Sequence, residues 1–120
     1  MKKSIALLGA VSEEIAGIKN AMHIYDRIRL NKTKAWTGRW REKNIMLART
    51  GVGRQKAKQA TIQVVENFHP EAIISIGYAG ALTKELRVGD LLIADCILDE
   101  QDDSRAVSYT HLTLPTNREV

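Results

Sequence analysis

Ser75-Ile76-Gly77-Tyr78-Ala79-Gly80-Ala81-Leu82, followed closely by Arg87-Val88-Gly89-Asp90, is the stretch that decides the fold. An apolar, β-prone run, Ala72–Ile76, empties into it, and a second apolar run, Leu91–Ala94, leaves it. Glycines at the mouth of a buried strand let backbone approach a ligand where a Cβ would clash. In an open α/β sheet, ligands bind at the carboxyl ends of the strands. The stretch therefore predicts an α/β fold with a small-molecule site at a strand end.

The rest of the chain supplies the other elements. Ile5-Ala6-Leu7-Leu8 is a continuous apolar run ending at Gly9-Ala10, as expected of a central strand buried on both faces. Ser12 reads as the N-cap of a helix with Glu13 and Glu14 in its first turn, where the dipole favours acids. Ile15, Ile18 and Met22 hold one side of that helix. From Met22 to Thr50 the period becomes two. Ile24, Asp26, Ile28 and Leu30 are expected on one face of a strand, and Trp36, Gly38 and Trp40 on one face of the next. Asn31-Lys32-Thr33 and Glu42-Lys43-Asn44 read as turns, and Ile45–Ala48 as a third strand. Thr50-Gly51-Val52-Gly53-Arg54 punctuates. A helix with Ala57, Ala60, Val64 and Phe68 on one side then runs to His69-Pro70, where proline disfavours helix in the preceding residue. A strand over Ala72–Ile76 and a last one over about Asp90–Leu98 give the order β-α-βββ-α-β-β.

Composition narrows the class. A chain of 120 residues, 44% hydrophobic and 27% charged, has the length and make-up of one globular domain. No apolar run reaches the ~18 residues of a membrane span, so no membrane partner is expected. Met-Lys-Lys and Ser4–Gly9 resemble a signal peptide only faintly, since Glu13-Glu14 interrupts the run. The expected compartment is cytoplasmic, and a single cysteine, Cys96, fits it as a core residue of a strand. The net charge of +4 is uneven: residues 27–58 hold eleven Lys/Arg and only Glu42 as an acid. Such a block can bind nucleic acid. Here the charges alternate with apolar residues (Arg27 and Arg29 with Ile28 and Leu30), which favours a solvated strand face, with a subunit or anionic-ligand surface as the other option.

Gly9-Ala10-Val11-Ser12-Glu13-Glu14, Thr50-Gly51-Val52-Gly53, the opening stretch and Val88-Gly89-Asp90, in this order, resemble the nucleoside phosphorylase/nucleosidase superfamily. They are most similar to the methylthioadenosine/S-adenosylhomocysteine nucleosidases and related purine-nucleoside hydrolases. The resemblance covers roughly residues 3–98, about the first two fifths of such an enzyme. It implies a three-layer αβα fold with a central mixed sheet, cut short at the C-terminus. It also implies a homodimer, a nucleoside substrate, and no metal or organic cofactor.

Residue by residue, the resemblance makes Glu14 the group that orients and activates the attacking water. Cleaving a ribosyl C–N bond passes through an oxocarbenium-like state, which a nearby carboxylate stabilises while taking a proton from water. The alternative for Glu13 and Glu14 is simple complementation of the helix dipole, and Glu13 is read that way. The free N–H groups after Gly9-Ala10 face a ligand, which makes Ala10 a binding residue. Val52 would meet the 5′ substituent, often in the neighbouring subunit's site, with Arg49 and Arg54 as nearby cations. Tyr78, Ala79 and Gly80 would lie against base and ribose. Tyr78 departs from the serine usual in the methylthioadenosine enzymes, and its ring could stack on a purine or narrow the pocket. Asp90 reads as a turn cap.

Phosphorylases of the superfamily typically carry a Gly-Asp-Pro-x-Arg-like phosphate turn after the first strand. This chain has Gly-Ala-Val-Ser-Glu-Glu there, and a glutamate suits water better than phosphate. Hydrolysis of the N-ribosidic bond of a purine nucleoside or thionucleoside is the expected function of the intact parent. A phosphate-dependent phosphorylase and a non-catalytic fragment or basic binding module are the alternatives. The aspartate that protonates the leaving base lies, by resemblance, in the C-terminal half that this chain lacks, so the chain itself is expected to be inactive. Residues 1–105 read as the N-terminal part of the domain. Residues 106–120, AVSYTHLTLPTNREV, read as a non-native tail or disordered terminus, giving Tyr109 and His111 no functional weight.

Overall fold

The computed structural model describes residues 3–94, 96–98 and 105–107. These form two compact units that divide between Ala79 and Gly80. The first unit is built from β1 (Ser4–Gly9), α1 (Ser12–Ala21), β2 (His23–Leu30), β3 (Thr33–Trp40), β4 (Lys43–Arg49), α2 (Arg54–Phe68) and β5 (Ala72–Ser75). Its five strands make one mixed sheet in the order β2-β3-β4-β1-β5. β1 runs parallel to β4 on one side and to β5 on the other, while β2, β3 and β4 form an antiparallel meander.

The three-layer αβα architecture follows from which faces are apolar. On one face, Ile15 and Met22 of the α1 segment pack with Leu7, Trp36, Ile45 and Leu47. On the other, Val64 of α2 packs with Ala6, Leu8, Ala35, Met46 and Ala48, backed by Phe68. β1 and β4 therefore present apolar side chains both ways, which is why they read as unbroken apolar runs. Ala57, expected on the packed side of α2, is exposed; the buried positions of that helix are Ala60 and Val64.

β2 departs from strict alternation. A bulge falls between Ile24 and Asp26, so Ile24 joins the α1-side core while Ile28 and Leu30 pack on the α2 side. Its extra residue turns the strand over, and the expected single face of Ile24, Asp26, Ile28 and Leu30 does not exist. Gly38, paired with Ile24, is required there: a Cβ on it would overlap the His23 carbonyl oxygen. The hairpin turns are also shorter than expected. Thr33 is already in β3, and Lys43 and Asn44 are already in β4. The β3–β4 loop is Arg41-Glu42, both at positive φ, the pairing that matches strand twist in two-residue hairpins.

In the second unit, Asp90 behaves as the expected turn cap. Its Oδ2 accepts from the Arg87 N–H at 2.9 Å, and its own N–H donates to the Arg87 carbonyl at 3.1 Å. The expected strand over Asp90–Leu98 is corrected: residues 90–94 are not in a strand, and β6 spans Cys96–Leu98. It pairs antiparallel with β7 (Arg105–Val107) in a sheet of its own. A strand exists only where a ladder forms, and neither sheet takes in residues 91–94. The side-chain surroundings of Cys96, and residues 108–120 with Tyr109 and His111, lie outside the described residues. Among the described residues no helix is long and apolar enough to cross a membrane.

Candidate functional site

Three loops meet at the carboxyl ends of the parallel strands β4, β1 and β5. Two backbone bonds past the strand ends join the β4 loop to the β1 loop, and one joins the β5 end to β1. Thr50 N–H donates to the Gly9 carbonyl (2.8 Å), Gly51 N–H to that of Ala10 (3.0 Å), and Ile76 N–H to that of Leu8 (2.8 Å). Gly9–Glu14, Thr50–Gly53 and the opening stretch as far as Ala79 thus converge on one edge of the first unit, the position where open α/β sheets bind ligands, while Val88-Gly89-Asp90 belongs to the second unit.

Glu14 sits at the centre of that edge. It occupies the third position of α1 after Val11, which is the N-cap in place of the expected Ser12. An apolar Val11 cannot cap, so Glu14 folds back instead: its Oε1 accepts from the N–H groups of Ala10 (3.0 Å) and Val11 (3.3 Å). This is the glutamate half of a capping box. Oε2 reaches the other way and accepts from the Tyr78 N–H at 3.1 Å. Ser12 is left free to accept from Arg49 Nη1 at 2.8 Å.

Gly77 makes this reach possible, because a Cβ there would stand 2.5 Å from Glu14 Oε2. Three N–H donors hold the carboxyl of Glu14 below its ordinary value of 4.5, the Tyr78 bond most strongly, with partial burial opposing and the Ala10 and Val11 bonds assisting. A carboxylate has about four acceptor positions. Three are filled from the backbone, which leaves one on Oε2 for a further donor such as water.

Tyr78 is tied down a second time: its hydroxyl donates to the Glu13 carbonyl at 3.0 Å. The ring is 78% exposed and lies along the start of α1. The structure thus brings Ala10, Glu14 and Tyr78 together. Ala79 is exposed at the end of the same turn. Val52 is 70% exposed beyond Gly51, and α2 begins with Gly53 as its N-cap. Gly80 belongs to the second unit, and a Cβ added to it would meet nothing within 4 Å among the described residues. Two participants went unread in the sequence: the Val11 N–H, and the Glu13 carbonyl that anchors Tyr78. The first had a signal, an acid three residues after a helix cap. The second had none, since a carbonyl is common to every residue. Among the described residues no cluster of three His, Cys, Asp or Glu could hold a metal.

Residues 4–116 match the model of the phosphorylase superfamily. The chain belongs to the phosphorylase superfamily. Within the superfamily it is 30% identical over 111 residues to the 5′-methylthioadenosine/S-adenosylhomocysteine nucleosidase of Staphylococcus epidermidis, an alignment covering 92% of this chain and 49% of that protein. Among solved phosphorylase-superfamily folds, it is similar to the S-adenosylhomocysteine nucleosidase of Streptococcus pyogenes in complex with 5-methylthiotubericidin. There the TM-score is 0.78 and the identity 26%, over 86% of this chain and 44% of the other. It is also similar to the futalosine hydrolase of Helicobacter pylori, with a TM-score of 0.72 and 28% identity over 78% of this chain and 41% of the other. The chain spans about half the length of the curated relatives it matches.

Proposed function

We propose that, in a chain of full family length, this site hydrolyses the N-ribosidic bond of a purine nucleoside or thionucleoside. The observation that carries the reading is the Glu14 carboxylate, clamped by three backbone N–H groups at the meeting point of the strand ends. Its depressed pKa keeps it ionised at neutral pH. That makes it a weak base but a fixed negative charge with one acceptor position to spare. Such a group suits orienting a water and stabilising positive charge developing on the ribosyl carbon. The names of the similar proteins, nucleosidases and a futalosine hydrolase, support the same chemistry.

In this reading Ala10 and Tyr78 fix the carboxylate, Tyr78, Ala79 and Gly80 border the base and ribose, and Val52 serves the 5′ substituent. The exposure of Val52 is consistent with its completing a neighbouring subunit's site in a homodimer, which sedimentation of the full-length protein tests. The protein is read as cytoplasmic, checked by cell fractionation. Residues 106–120 are read as a non-native tail or a disordered terminus, which the genomic reading frame past Arg105 decides.

The test is release of adenine from 5′-methylthioadenosine by the full-length protein, with and without phosphate. Release independent of phosphate, lost by about a hundredfold or more in Glu14→Gln, is expected. A phosphate requirement would make the enzyme a phosphorylase. Full activity in the Glu14→Gln variant would remove Glu14 from the mechanism.

A further inference from the structure

A second concavity, separate from Glu14 and Tyr78, opens between α1 and the meander. It has a volume of about 620 Å³, within the roughly 300–1,000 Å³ of small-molecule sites. Five cations line it: Lys19 from α1, Arg27 and Arg29 from β2, Lys34 from β3 and Arg49 from β4. Among the described residues no carboxylate lines it.

The strand register makes this arrangement costly. Arg29 is the Cα partner of Lys34, and Lys34 is the partner of Arg49, so three cations stand in one cross-strand row. Like charges directly opposite each other destabilise a sheet. Arg27 stands opposite Trp36 on the same face. Lys19 is held over the Trp36 ring at 4.2 Å from its centroid, so the aromatic surface orients a cation and is not offered for stacking. The floor is apolar and the rim is positive.

We infer that this cleft binds a small polyanion carrying at least two phosphate groups. The row from Arg29 to Arg49 crosses two strand spacings, about 10 Å, which matches a compact oligophosphate. The walls, a helix on one side and a sheet on the other, confine the ligand to a short cleft, whereas a nucleic-acid backbone needs a long open track of cations. Binding neutralises the row and so stabilises the fold, by linkage. The inference does not rest on the nucleosidase reading: Lys19, Arg27, Arg29 and Lys34 take no part in it, and only Arg49 lies near residues which that reading uses.

Inorganic tripolyphosphate is the probe, and thermal unfolding and calorimetric titration of the 120-residue chain are the readouts. A melting temperature that rises with tripolyphosphate concentration, and a smaller rise with monophosphate at equal ionic strength, are expected. Lys34→Gln is expected to weaken tripolyphosphate binding about tenfold while raising the melting temperature of the free protein, because it breaks the row. Arg27→Gln, exposed and off the row, weakens binding without that second effect and serves if Lys34→Gln folds poorly. Lys43→Gln, at the other end of β4, leaves binding unchanged. The inference is overturned by the absence of a thermal shift, by a shift that survives both cleft variants, or by single-stranded oligonucleotide displacing tripolyphosphate at lower concentration, which would make the cleft a nucleic-acid surface.

Discussion

Tyr78 grips helix α1 at two points: its N–H donates to Glu14 Oε2 at 3.1 Å, and its hydroxyl donates to the Glu13 carbonyl at 3.0 Å. The two bonds have separable consequences. Tyr78→Phe removes only the second, an exposed neutral bond, and is expected to lower stability by about 0.5 kcal/mol. The Glu14 carboxylate keeps its backbone donor, so turnover by the full-length protein should fall by no more than about twofold. A large loss of kcat would assign the phenol a role beyond anchoring.

Gly77→Ala acts on the same relationship from the other side. The new Cβ would lie 2.5 Å from Glu14 Oε2, so the carboxylate must leave the Tyr78 N–H or the turn must open. A misplacement of about 1 Å costs roughly a hundredfold in rate, and a loss of that size is expected. Carboxyl chemical shifts followed by NMR should place the Glu14 pKa closer to 4.5 than in the unaltered protein. An unmoved pKa would mean that the turn, not the carboxylate, had yielded.

The pH dependence of stability has a definite sign. The Glu14 pKa is lower in the folded chain than its ordinary value of 4.5, chiefly through the Tyr78 bond. The ionised form therefore stabilises the fold fully above that ordinary value, and the contribution disappears as pH falls through the depressed one. Urea melts of the chain against Glu14→Gln should converge at strongly acidic pH and separate as pH rises through the carboxylate range. Parallel curves would contradict the assignment.

Leu47 is fully buried at the centre of the α1-side core. Leu47→Ala should cost about 2–5 kcal/mol, a large share of the stability of a small domain. Gly38→Ala tests a different mechanism, because its Cβ would meet the His23 carbonyl at the β2 bulge. It adds only a methyl group, yet it should destabilise by more than about 1 kcal/mol. Denaturant midpoints measure both.

The elements that the sequence announces are those with long, consistent periodicity. The unbroken apolar runs of β1 and β4 and the spacing of Ile15, Ile18 and Met22 along α1 all have physical counterparts in the two cores. Features that depend on one residue were not legible. The bulge in β2 reverses the facing of Ile24 with no residue type marking it, except that Gly38 stands across the ladder. Ser12 has the chemistry of a cap, but the N-cap is Val11, and Glu14 reaches back from inside the helix to the N–H groups of Ala10 and Val11. The place of Glu14 in a first turn was readable from the sequence, but there it reads as complementing the dipole, and its candidacy for the site came from family likeness alone. Its bond to Tyr78 was not, since it joins residues 64 positions apart. The strand expected over Asp90–Leu98 had suitable residues for most of its length, but pairing is a property of the neighbour as much as of the segment.

The position of β1 between β4 and β5 also dictates an order of assembly. Chains emerge from the ribosome N-terminus first, so the strand at the middle of the parallel layer is made before either of its neighbours. The meander of β2, β3 and β4 can close through local hairpins, whereas β1 must wait for partners distant in sequence, and such non-local pairings form slowly. Glu14 is among the first residues synthesised, yet its third N–H donor comes from Tyr78. The carboxylate at the heart of the site reaches its final setting only after β5 has docked, so a nascent chain stalled short of Tyr78 would hold a folded meander and an unfinished site.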